Sequence, residues 1–164
     1  MWCRLVKISL DQGLVIDSEP IICQLISFMS CTGVADLKLS QAAFRTLFTL
    51  CHMRANQVHS FLAANLLFNN VAFLKAIGKY INFCHKLNTK KELVDSLKLA
   101  NMCYREAKKE LTSTHLSTLI YDSLEDMQLD HCGQVARAAS ETADLISQED
   151  EFADDRMEDA PYNI

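Results

Sequence analysis

Proline and glycine are nearly missing from this chain. Two prolines, Pro20 and Pro161, and four glycines, Gly13, Gly33, Gly78 and Gly133, interrupt 164 residues. So few breakers leave little material for the tight turns that an all-strand fold needs. The glycines are isolated, so none belongs to a phosphate-cradling loop. No apolar run reaches the ~18 to 20 residues of a membrane span, because Asn, Lys and His interrupt each one. The opening MWCRLVKISLDQG has no long apolar segment and no small-residue cleavage site, so it does not read as a secretory signal. An excess of positive charge is missing too. The formal net charge is -5, and seven acids and one Arg crowd into residues 149–159. Outside them fifteen bases face fourteen acids, which is not the footprint of a nucleic-acid binder.

Cysteine is plentiful, but the usual patterns of its chemistry are absent. Seven Cys are spread so that no two lie closer than eight residues. A secreted disulfide scaffold would be shorter and denser in Cys. Free thiols in the cytosol or nucleus are expected. Three Cys-His neighbours, Cys51-His52, Cys84-His85 and His131-Cys132, raise the question of a metal. Adjacent residues on a helix point about 100° apart, and zinc sites use Cys-x(2–4)-Cys or His-x(3–5)-His spacing, so no metal or cofactor is expected. Cys51 and Cys84 fall on apolar stripes, where Cys packs as a small hydrophobe. No nucleophile context surrounds any Cys, and a Cys-dependent enzyme ranks last among the readings.

Many Leu, Ala and Lys with few breakers point to an all-α fold. The chain is organised around Gln57–Leu87, which reads as two apolar helices joined by Asn69-Asn70. In the second helix Phe73, Ile77, Tyr80, Cys84 and Leu87 recur at steps of four and three, one helical face. Leu74 and Ile81 widen it, while Lys75, Lys79, Asn82 and Lys86 lie opposite. The first helix, with Phe61, Leu62, Leu66, Leu67 and Phe68, is apolar nearly all round and is expected at the centre. Helix starts are expected near residues 20, 40, 57, 71, 90, 114 and 131. Asp17 or Ser18 would cap the first, with Pro20 in its first turn, and Ser40 the second. Asn88 closes one helix, and Thr89-Lys-Lys-Glu92 has the capping-box pattern. The longest helix is expected behind it, with Leu93, Leu97, Ala100, Tyr104, Ala107 and Leu111 as its seam. Thr112-Ser113-Thr114 reads as a break. Leu116, Ile120, Leu124 and Met127, then Val135, Ala139, Thr142 and Ile146, make the last two stripes.

Residues 1–16 carry no assignable element and begin on apolar residues, as a fragment of a longer chain would. Residues 17–148 are expected as one helical domain and 149–164 as a disordered acidic tail. Taken as pairs, the helices begin near 20, 57, 90 and 131, close to the roughly 34–47-residue period of helical-hairpin repeats. Antiparallel hairpins stacked as an α-solenoid are expected, with a compact helical bundle as the alternative. The stretch FLAANLLFNNVAFLKAI resembles an armadillo repeat, with its small-residue helix, Asn-rich turn and following apolar helix. The Gly-containing turn of that repeat is not evident, and HEAT-like two-helix pairs fit equally. The resemblance implies a non-catalytic protein–protein interaction module, scaffold or adaptor. The alternative is a bundle that oligomerises or regulates a larger protein. A partner-binding face is expected at Lys90, Lys91, Lys98, Arg105, Lys108 and Lys109, suited to an acidic or helical segment of a protein partner. The acidic tail would visit that face in cis.

Overall fold

The computed structural model describes residues 19–31, 33–52 and 67–154. Among them no strand occurs, and no helix is long and apolar enough to cross a membrane. The helices are α1 (Glu19–Met29), α2 (Leu37–His52), α3 (Val71–Lys86), α4 (Lys90–Glu106), α5 (Lys109–Thr112), α6 (Thr118–Gln128) and α7 (Gly133–Asp154). A 3-10 turn (Val34–Asp36) leads into α2, and a π-helical turn (Ser113–Ser117) joins α5 to α6. The expected caps at Asp17 and Ser18, the segment 1–16 and most of the expected central helix lie outside the described residues. Of that helix, Leu67 and Phe68 are described, and both are buried.

The short Asn-Asn link begins α3 as its sequence implies. Asn70 is the N-cap, and its Oδ1 accepts the Phe73 N–H at 3.1 Å. Asn88 ends the helix with φ 57, the one left-handed non-glycine backbone among the described residues. The Thr89 and Asn88 N–H groups donate to the Cys84 and His85 carbonyls, both at 3.1 Å, which is the Schellman pattern. That ending displaces the expected capping box. Thr89 makes no side-chain cap bond. Its Oγ1 donates to the Cys84 carbonyl, and Glu92 pairs with Arg45 of α2 at 2.9 Å. Ser40 does not cap α2, which starts three residues earlier. Its hydroxyl is buried and donates to the Met29 carbonyl, tying α2 to the end of α1.

The helix expected to run unbroken to Leu111 stops at Glu106. Ala107 is extended, and the Lys108 N–H donates to Asn69 Oδ1 at 3.1 Å. The break expected at Thr112–Thr114 is instead a continuous passage through the π turn. There Ser117 Oγ lies 3.3 Å from the Thr112 carbonyl oxygen, five residues back, and 2.9 Å from the Tyr104 hydroxyl. Leu116, Ile120, Leu124 and Met127 are all buried behind that turn. The longest helix is α7, which carries the chain through residues 149–154, a stretch whose composition alone reads as tail.

The helices pair as α1–α2, α3–α4 and α6–α7. The expected pairing of helices starting near 57 and 71 lies outside the described residues, and that of helices starting near 90 and 114 is not found. In particular α6 packs on α3 rather than on α4. The cause is a tight fit. A Cβ added to Gly78 would lie 2.8 Å from Leu119 Cβ, so the missing side chain is what lets α6 reach α3. Asn82 completes the joint, donating from Nδ2 to the Leu119 carbonyl and accepting from Ser123 Oγ, both at 2.6 Å.

Two rows result. Helices α1, α3 and α6 lie side by side in one, and α2, α4 and α7 in the other. Each hairpin packs on the next, and among the described residues the first and third share no substantial interface. Contacts between the second and third hairpins advance in step. Asn82 meets Ser123 and Asn101 meets Thr142, each pair 41 residues apart. Gly78 faces Leu119 at the same separation. Neighbouring helices within each of these row pairs therefore run parallel.

Helices α3 and α4 form the middle of the core. Phe73, Leu74, Ile77, Tyr80 and Ile81 of α3 and Leu93, Leu97, Leu99 and Ala100 of α4 are fully buried. Phe44 of α2 stacks on Tyr80 with ring centroids 4.6 Å apart. Urea unfolding of two variants tests this packing. Ile77→Ala should cost about 2–5 kcal/mol through lost burial and a cavity. Gly78→Ala, which gains helix propensity, should nevertheless destabilise by about 1–3 kcal/mol, because Leu119 Cβ cannot rotate out of the way. A Gly78→Ala protein more stable than the parent would mean that α3 and α6 do not approach so closely.

Candidate functional site

Helix α4 is so thoroughly covered that its exposed surface is a narrow stripe. Lys91, Lys98 and Arg105 recur every seven residues along it, and Asp95 and Met102 flank them, half-buried. A seven-residue recurrence drifts only about 20° per step, so the three side chains project from one edge. That edge borders α7. The stripe of α7 that packs on α4 is rich in Ala, with Ala138 and Ala139 buried, so the two backbones approach closely. Between the helices lies an open groove of about 610 Å³. Val94 and Ala138 supply its apolar floor, and Lys98, Gln134, Arg137 and Glu141 its walls. Cys132 and Gly133 line its end at the start of α7.

The structure divides the six expected site residues. Lys90 does not point a free charge at a partner. It pairs with Asp130 in the α6–α7 turn. Asp130 Oδ1 also accepts the Cys132 N–H at 2.8 Å, so the carboxylate fixes the start of α7. Arg105 pairs with Glu141 across the groove's far end. Lys91 and Lys98 remain exposed along the stripe, and neither forms an ion pair among the described residues. Lys108 and Lys109 lie beyond the break at Ala107, exposed at the start of α5 and apart from the groove. Arg137 is the functional candidate that sequence reasoning missed. It stands one turn past the start of α7, beside the Ala-rich stripe. Only the register of α7 on α4 brings it opposite Lys98.

That register is set by a buried polar contact. Thr142 Oγ1 lies 2.6 Å from Asn101 Oδ1 and 2.9 Å from the Ala138 carbonyl oxygen, and its single proton serves both. Asn101 Nδ2 has no partner among the described residues. Turning the amide over would let Nδ2 donate to Thr142 while the hydroxyl donates to Ala138, and either orientation keeps the two helices in this register.

The cysteines form no such site. Six are described and all are free thiols, with Cys51, Cys84 and Cys103 buried. Burial pushes the Cys84 thiol up to about 11. Burial, and secondarily the neighbouring Cys51, raises that of Cys103 well above its ordinary value. A thiol held in its protonated form is a poor nucleophile. Among the described residues no three His, Cys, Asp or Glu side chains converge on a possible metal position. Comparison with family models, curated proteins and solved structures finds no match for the chain.

Two outcomes are expected. The Lys90 ammonium, and then the Cys132 N–H, hold the Asp130 carboxyl below the usual carboxylate value of about 4. A depressed folded-state pKa adds stability that is fully present above the unfolded value and is lost as pH falls through the folded one. Asp130→Asn should therefore be less stable than the parent from neutral pH down to about pH 5, with the gap closing below about pH 4. A gap that does not change with pH would mean that the pair contributes nothing through charge. In iodoacetamide labelling of the native protein at neutral pH, exposed Cys23 should react first, and Cys51, Cys84 and Cys103 only on unfolding. Rapid native labelling of Cys84 would show that its thiol is accessible.

Proposed function

We propose that this chain is a non-catalytic protein-interaction module, built as an armadillo- or HEAT-like stack of helical hairpins, that holds a segment of a partner protein along the α4–α7 groove. The observation that carries this reading is the 41-residue offset shared by Gly78–Leu119, Asn82–Ser123 and Asn101–Thr142 between the second and third hairpins. It falls within the roughly 40–47-residue period of such repeats. In a stack of that kind each unit touches only its neighbours, and the surface running along one row becomes an extended binding face. The pairing order supports the same reading, because a closed bundle would bring the first and last hairpins together. Free thiols throughout the described residues fit a reducing compartment, cytosol or nucleus.

A second reading, self-assembly, draws on one observation. Tyr121 on α6, the last helix of its row, and Leu129 at its C-terminal cap stand 66% and 76% exposed, where a further hairpin or a second copy could stack.

Site-specific photo-crosslinking tests the two together. A photoreactive residue at Gln134, in the groove, should trap a partner protein in native cells, and one at Lys75, an exposed position on α3, should not. One at Tyr121 should trap nothing if α6 is an idle end. Trapping at Tyr121 alone, with a second copy of the chain as the adduct, would replace the groove reading by the self-assembly reading. No adduct at any position would sink both.

A further inference from the structure

Resting on that reading, we infer that the α4–α7 groove takes a short acidic–apolar segment of a partner, supplied in trans and not by this chain's own acidic residues. The chemistry of the groove selects the occupant. Its floor, Val94 and Ala138, is apolar, and both positions are buried by close approach of the two helices. Its rims carry Lys98 and Arg137, exposed cations that form no ion pair among the described residues. Lys91 extends the same edge by two turns. Glu141 is the carboxylate on the wall, and Arg105 already neutralises it. Lys90 and Asp130 neutralise each other at the opposite end. Among the residues that line the groove the unpaired charge is therefore positive, Lys98 and Arg137, while Asp95 flanks Lys91 and Lys98 on the α4 edge outside it. From Lys91 to Arg105 the edge is ~21 Å long at 1.5 Å per residue. An extended segment of about six residues spans that length at roughly 3.3 Å each. Carboxylates would meet Lys98 and Arg137, and an aliphatic side chain would reach the floor between them.

Helix α7 carries the chain's own acidic stretch away from this position. Helix α7 runs away from the groove, and Asp154 lies seventeen residues past Arg137 on the same helix, ~25 Å along its axis. The remaining acids, Asp155, Glu158 and Asp159, follow within five residues, a reach of at most ~18 Å from Asp154 even fully extended. Those acids would have to fold back along most of that length to approach Lys98, so the visits in cis expected from charge alone carry a cost. A partner's segment carries no such tether.

The test uses the full chain and a ten-residue peptide of alternating Glu and Leu, with fluorescence anisotropy at low ionic strength. The peptide should bind, and a Lys-Leu peptide of the same pattern should not. Lys98→Glu with Arg137→Glu should weaken binding more than about tenfold. The neutral pair Lys98→Gln and Arg137→Gln should give an intermediate loss, and Lys108→Glu with Lys109→Glu little change. Circular dichroism should match the parent for each, since all four residues are exposed. Deleting residues 155–164 should leave the affinity unchanged. The inference is overturned if the groove variants bind the peptide as the parent does, or if polyglutamate without Leu binds equally well. It is also overturned if the deletion raises affinity, which would give the groove to the tail, or if the groove variants abolish self-association of the parent, which would give it to a second copy. A partner trapped at Gln134 alongside a failed peptide experiment would leave the interaction module standing and remove only its acidic specificity.

Discussion

Helices α3 and α4 have almost no face to give to water. Helix α3 exposes fully only Ala72, Lys75, Lys79 and Lys86, and α4 only Lys91, Lys98, Arg105 and Glu106. Each fully buried Leu, Ile or Phe on them is worth ~1.5–3 kcal/mol relative to exposure, so leaving either helix uncovered on one side is costly. Two helices buried together need cover on both flanks. Helices α1 and α6 supply it for α3, and α2 and α7 supply it for α4. The rest of the architecture follows from that need. The glycine at 78 is its tightest expression, because the cover on that side arrives at a distance that no Cβ would allow.

Apolar burial is non-directional and would tolerate several registers. The polar contacts remove that freedom. Asn82 with Ser123 and Asn101 with Thr142 lock α6 and α7 onto the preceding hairpin at one offset, and Tyr104 with Ser117 adds a third tie at the π turn. A hydrogen bond contributes only ~0.5–1.5 kcal/mol net, but leaving such a group buried and unpaired costs ~1–3 kcal/mol, so a slipped register is penalised several times over. The exposed ion pairs act differently. Arg105 with Glu141 is worth at most ~1 kcal/mol in stability, yet it decides which charges at the groove remain available.

What could be read along the chain was local. The Asn69-Asn70 turn before α3 and Asn88 as a helix end are governed by backbone within a few residues, and both fall where their sequence implies. The stripes of α3 and α6 are buried for the same reason, apart from Leu87, which stands 37% exposed at the end of α3, since a 3.6-residue period reports which face of a helix is apolar. Thr89, Ser40 and Glu92 misled because each had a partner elsewhere. The Schellman ending claims the Thr89 hydroxyl, Met29 across a turn takes Ser40, and Arg45, 47 residues away, takes Glu92. The break after Glu106 was hidden likewise, since Lys-Lys-Glu-Leu continues a helix by propensity and the group that interrupts it is Asn69.

The sequence by itself determined that the chain is helical, which residues face inward on most helices, and that Cys51 and Cys84 belong to the core. Those properties depend on side-chain type and short-range spacing. Only the tertiary structure decided which helix pairs with which, that Lys90 and Arg105 are already engaged, and that Arg137 stands opposite Lys98. Those depend on contacts between residues about forty positions apart, whose energies are small individually and act only once α3 and α4 are covered. A linear pattern records the faces of each helix, and the meeting of two faces is a property of the folded chain.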